Sequence, residues 1–105
     1  MNAATAAQLT VISWRDIPAQ VTAKEGRTKA RAQLSERFQL AIGSAAMRAG
    51  MVGTDAYLEE WHHATRPCGG NLEVEVAQEA DQLESAWTNA RLSAAVKAGG
   101  VEAEA

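Results

Sequence analysis

Few side chains in this chain combine the types and spacing that covalent or acid–base chemistry needs. His62-His63 with Cys68 comes nearest to a metal or nucleophile cluster. On a helix, adjacent histidines diverge by about 100°, so they would not chelate one ion from one face. No second cysteine and no H-x-x-E spacing completes a zinc set. A Cys/His pair does covalent work when a third group orients the base, and none is recognisable beside Cys68. Pro67-Cys68-Gly69-Gly70 lacks the lysine and the following helix that a phosphate loop uses. Glu59-Glu60, Glu73 and Glu75 could act in acid–base chemistry, but a solvated strand face explains the last two more cheaply. No catalytic residue, metal ligand or cofactor is expected, and whether the chain is an enzyme stays open, leaning to not.

Binding residues are easier to nominate. Lys24, Arg27, Lys29 and Arg31 form a basic run, and cations at a helix start oppose the helix dipole. An anionic ligand, or pairing with the acidic second half of the chain, would account for them. Residues 1–50 carry seven cations against three carboxylates, and residues 51–105 carry three against ten, for a net charge of −3. With pI near 5.3 and no aromatic interleaved in the run, nucleic acid is not expected as a partner. Trp14-Arg15-Asp16-Ile17-Pro18 is the most distinctive segment. It reads either as a core tryptophan with a self-bonded turn or as a loop presented to a protein partner. The candidate partner- or ligand-binding set is therefore Trp14, Arg15, Asp16, Ile17, Pro18, Lys24, Arg27 and Arg31.

The elements that must position these residues follow from periodicity. Gln8–Trp14 alternates as a strand, Pro18 marks a turn or bulge, and 19–23 returns as a second strand. Ala30, Leu34, Phe38, Ala41, Ile42, Ala45 and Ala49 make one apolar stripe, which predicts a helix over 28–49 closed by Gly50. Thr54-Asp55 starts a second helix through His62, and residues 65–71 read as a loop. Leu72-Glu73-Val74-Glu75-Val76 alternates as a strand, and 79–97 as a last helix stopped by Gly99-Gly100. The expected fold is α+β with two layers: a small antiparallel sheet in the order β-β-α-α-β-α, amphipathic helices on one face. With 105 residues and 47% of them hydrophobic, the chain suits one domain over 8–98, with 1–7 and 99–105 as disordered tails. The start does not read as a signal peptide, no run suits a membrane span, and one cysteine permits no internal disulfide. A cytoplasmic location without membrane contact is expected.

The segments LTVISWRDIPAQVTAKE (residues 9–25), RTKARAQLSERFQLAI (27–42) and TDAYLEEW (54–61) resemble the bacterial "virulence factor" domain family, over about residues 9 to 97. WRDIPAQV is the most specific part. The resemblance implies a domain found alone or within multidomain proteins called conserved virulence factor C, with virulence inferred genetically rather than from a reaction. Stand-alone members are also similar to small proteins encoded beside folate and corrinoid methyl-transfer enzymes. An accessory role in one-carbon metabolism, through a protein partner, follows from that. The alternative is a domain binding a small anionic, folate- or phosphate-type ligand. No family catalytic residues carry over.

Overall fold

The computed structural model describes residues 6–102. A four-stranded antiparallel sheet has the order β3-β2-β1-β4, built from β1 (Gln8–Trp14), β2 (Ile17–Glu25), β3 (Thr28–Gln33) and β4 (Trp61–Pro67). Four helices accompany it: α1 (Glu36–Arg48), α2 (Asp55–Glu59), α3 (Leu72–Ala86) and α4 (Asn89–Lys97). The α+β class expected from the sequence is therefore the fold of the chain. The element order is β-β-β-α-α-β-α-α rather than β-β-α-α-β-α.

The first hairpin forms where the β-branched run of Leu9–Trp14 placed it. Leu9 pairs Ala23, Val11 pairs Val21 and Trp14 pairs Ile17. Between the Ile12 and Ser13 pairs the register slips, so Ala19 is left over as a bulge. Pro18, which has no N–H to give a ladder, sits beside that irregularity. The second strand extends to Glu25, and Gly26-Arg27 turns it back into β3. Gly26 has φ +60°, a left-handed conformation glycine reaches without a Cβ clash.

Four expected elements differ in the structure. Residues 28–33 are a strand, not a helix start, because Ala30 and Ala32 alternate with Lys29, Arg31 and Gln33 and the former turn inward. Residues 72–76 open α3 rather than forming a strand. Leu72 and Val76 recur one helical turn apart and are buried, Val74 is exposed, and the Asn71 side chain accepts from Val74 N at 3.3 Å as an N-cap. Glu73 and Glu75 thus lie in a first helical turn, where the dipole favours them, not on a strand face. The segment 61–67, expected as helix end and loop, is β4, exposed at every position but Trp61. The last helix is also divided: α3 ends at Ala86 with Trp87 as its C-cap, and Thr88 caps α4 by accepting from Arg91 N at 3.1 Å.

Two apolar clusters hold the layers together. One gathers Trp14, Ile17, Leu34, Phe38, Ile42, Ala45, Trp87 and Leu92 where α1 and α4 close over the turn end of the first hairpin. The other packs Leu72 and Val76 of α3 on Leu9, Val21, Ala23 and Ala30. Ala80 and Leu83 touch both. The start of α1 is secured from α3. Glu84 accepts from Ser35 N at 2.6 Å and Ser35 Oγ at 2.9 Å, and pairs with Arg37 at 3.2 Å. Burial pushes its carboxyl up, but the Ser35 bonds and Arg37 outweigh that and hold it below the usual carboxylate value.

The expected tails are shorter than drawn. Ala7 is buried, and its carbonyl accepts from Cys68 N at 3.1 Å. Residues 99–102 are docked: Gly100 N bonds Ala95 O at 2.8 Å, and Glu102 makes a two-bond pair with Arg91 at 2.6 and 2.8 Å. That pair raises the Arg91 guanidinium and lowers the Glu102 carboxyl. Residues 1–5 and 103–105 of the expected tails lie outside the described residues.

Candidate functional site

The two segments nominated from sequence lie at opposite ends of the sheet, roughly 20 Å apart along a seven-residue strand. They do not converge. At one end Trp14 is fully buried, its Nε1 donating to Tyr57 O at 2.8 Å and its ring 5.6 Å from that of Tyr57. Ile17 and Pro18 are buried with it. Arg15 occupies the left-handed region at φ +51°, a costly conformation for a residue with a long side chain.

Its surroundings over-determine that conformation. Arg15 N donates to Glu60 O at 3.0 Å, Nη1 to Gly99 O at 3.0 Å and Nη2 to Met51 Sδ at 3.3 Å. Nε lies 3.3 Å from Glu60 Oε1, and the Arg15 carbonyl meets His62 Nε2. Asp16 accepts from Glu102 N at 2.7 Å. This turn binds the end of α2, the start of β4 and the C-terminal segment into one clasp. Its polar groups are already engaged.

At the other end the chemistry is open. Gln8, Thr10 and Ile12 of β1, Thr22 and Lys24 of β2, Lys29 and Arg31 of β3, and His63 of β4 line a shallow trough of about 550 Å³. Every lining residue belongs to a strand, and no helix among the described residues lines it. Lys24 and Lys29 face each other directly across the β2–β3 ladder, and Arg31 opposite Thr22 is the next residue on that face. Like charges directly opposite on a sheet repel and destabilise it. Arg27 stands at the tip of the turn between these strands.

Pairing with the acidic half does not account for this run. Arg15, Arg37, Arg66 and Arg91 have carboxylate partners, whereas Lys24, Arg27, Lys29 and Arg31 have none among the described residues. The structure thus joins Lys24 and Arg31 from the nominated set, adds Lys29 and His63, and leaves Arg15 elsewhere. The alternation of residues 28–33 was the signal that could have placed Lys29 beside Arg31.

The remaining chemical candidates are dispersed. His62 and His63 sit on a strand, not a helix, and pair with Ser13 and Ile12, so they point to opposite faces of the sheet. Among the described residues no three His, Cys, Asp or Glu side chains are grouped as metal ligands. Cys68 is half-buried. Desolvation, then the nearby Glu75, push its thiol up against the opposing pull of Arg66, the reverse of what a nucleophilic thiolate needs.

A family model described as "Virulence factor" matches residues 12–96, from β1 through nearly all of α4. The chain belongs to this virulence factor family. Neither a curated protein nor a solved structure matches it. The matched stretch contains Arg15 and the Lys24–Lys29–Arg31 face, whereas Gly99 and Glu102, which complete the Arg15 clasp, lie just beyond it. Among the described residues, no helix is long and apolar enough to cross a membrane.

Proposed function

We propose that this virulence factor domain is a non-catalytic binding module whose helix-free sheet face docks an anionic group on a protein partner. The observation that carries the reading is the Lys24–Lys29 cross-strand pair with Arg31 beside it. Sheet stability alone disfavours that arrangement, and an incoming carboxylate or phosphate relieves it. Among the described residues no Phe, Tyr or Trp lines the trough and His63 is its single ring, so base stacking has little platform and nucleic acid is a poor occupant. A shallow open trough suits an exposed acidic segment better than a small molecule, which is usually enclosed on most sides. The accessory role that the resemblance implies, beside methyl-transfer enzymes, agrees with a docking domain of this kind.

Anisotropy titration of labelled poly-L-glutamate at 20 and 300 mM salt tests the proposal. Binding is expected at low salt, weakened steeply by salt, and reduced about tenfold or more by Lys24→Glu with Arg31→Glu. Equal binding by the double variant would overturn it. The second reading, a small folate- or phosphate-type ligand, draws on the size of the trough, which falls within the range of ligand pockets. It predicts thermal stabilisation by folates or inorganic phosphate, abolished by the same double variant.

A further inference from the structure

Among the described residues strand β3 is an edge of the sheet, with β2 as its neighbour. Among the described residues, no backbone hydrogen bond leaves Thr28–Gln33 for anything but β2. The outward N–H and C=O groups of this six-residue strand are therefore a template for another strand. Lys29 and Arg31 project from the same strand onto the open trough. Edge lysines ordinarily keep like chains apart, since a second copy pairing β3 with β3 would bring Lys29 and Arg31 against their own kind. The same charges attract a strand of opposite sign.

We infer that β3 accepts an extended acidic segment of a partner protein as a fifth strand, with a carboxylate at every second residue facing Lys29 and Arg31. This inference rests on the reading of the trough as an anion-docking face and adds the mode and the partner's sequence pattern. Alternation is required because side chains along a strand point to opposite faces with a period of two. In such strand addition the backbone bonds supply affinity and the alternate side chains supply selectivity. Lys24, one strand further in, neutralises part of the added charge from behind Lys29. The opposite edge, β4, offers only His63 to the trough and ends at Pro67, which has no N–H to donate.

Three labelled seven-residue peptides distinguish the mode. The first has glutamate at every second position with valine or threonine between. The second has the same composition with its glutamates contiguous. The third keeps the alternating sequence but carries N-methyl groups on the amides that would face β3. The intact chain should bind the first peptide at least about tenfold more tightly than the other two, and Lys29→Glu should remove that preference. Hydrogen exchange should slow at amides within Thr28–Gln33 only when the first peptide is bound.

If the N-methylated peptide binds as well as the parent, strand addition is overturned while the anion-docking reading survives. If no acidic peptide binds in a salt-dependent way, both fall. If a single-stranded oligonucleotide binds more tightly than any peptide, the partner chemistry inferred here is wrong. Circular dichroism of Lys29→Glu guards against loss of fold, and Lys29→Gln, which removes charge without reversing it, should give an intermediate affinity.

Discussion

The two ends of the first hairpin solve opposite problems with the same residue types. At the Trp14 end, a strained arginine is surrounded by acceptors, a carboxylate and an indole, and its guanidinium, the Trp14 indole N–H and the Asp16 carboxylate all have partners. At the Lys24 end, two lysines and an arginine share one strand face with no carboxylate among the described residues to balance them. The first arrangement spends its interactions on stability. The second leaves charge unpaired on a rigid platform, where a partner can use it. Residue type alone does not mark an arginine as structural or available. What distinguishes Arg15 from Arg31 is the chain that returns to meet it: Glu60, Gly99 and Met51 all come back to Arg15.

The largest effect should come from removing the centre of the closed end. Trp14→Ala deletes a fully buried indole and its bond to Tyr57 O, which costs about 3–5 kcal/mol. Urea unfolding followed by circular dichroism reads this directly, and a midpoint close to wild type would show that the Trp14 cluster is not the core. Trp14→Phe, which keeps most of the packing but not the hydrogen bond, should lose about 1 kcal/mol. Peptide binding at the trough should survive in whichever variant remains folded.

Gly100→Ala attacks the same end from the C-terminal side. Gly100 has φ +101°, and a Cβ there would lie 2.7 Å from Trp14 Cζ3. The ring is itself fixed by Tyr57, so neither side yields easily. A loss of about 2 kcal/mol is expected from backbone strain and the clash together. A neutral result would mean that the residues after α4 are free of the core, as the glycine pair first suggested.

That last point shows where the sequence was legible and where it was not. The first hairpin was readable because Leu9–Trp14 is dominated by β-branched residues and Pro18 punctuates it. Most of α1 was readable from Phe38, Ile42 and Ala45. Residues 28–33 read as a continuation of that helix because alanine, lysine and arginine are good helix formers, although their alternation is that of a strand. The opposite error fell on Leu72-Glu73-Val74-Glu75-Val76. Its period-two pattern is real, but Leu72, Val76, Ala80 and Leu83 extend a helical stripe that a five-residue window does not reveal. Strand β4 carries almost no burial signal, so nothing in Trp61–Pro67 announced pairing with β1. The basic residues were found as a run, but whether they would be paired depended on tertiary contacts.

Glu84→Gln tests a smaller device, the carboxylate from α3 that caps α1. Its folded value lies below the ordinary one, so it contributes stability above the usual carboxylate range and loses it as pH falls through the folded value. Wild type should therefore lose stability on acidification in that window. The glutamine variant should be about 1 kcal/mol weaker at neutral pH and lose less on acidification. Glu102, lowered chiefly by its bond with Arg91, titrates in the same sense, so part of the acid loss should remain in Glu84→Gln. Identical acid limbs for the two proteins would remove Glu84 from the account.

The smallest effect has the opposite sign, and it is the one that most sharpens the contrast between the ends. Lys29→Glu replaces a directly opposed like pair with an attractive one, so the variant should be more stable than wild type by about 0.3 kcal/mol at low salt. Salt then separates the two electrostatically. Screening relieves repulsion in wild type and weakens attraction in the variant, so the gap should close between 20 and 300 mM sodium chloride. A variant that gains stability while losing acidic-peptide binding would show that the open end holds charge at a cost to the fold. A variant that loses stability at low salt would mean that Lys29 is already balanced within the chain, and the distinction between a satisfied end and an available one would disappear.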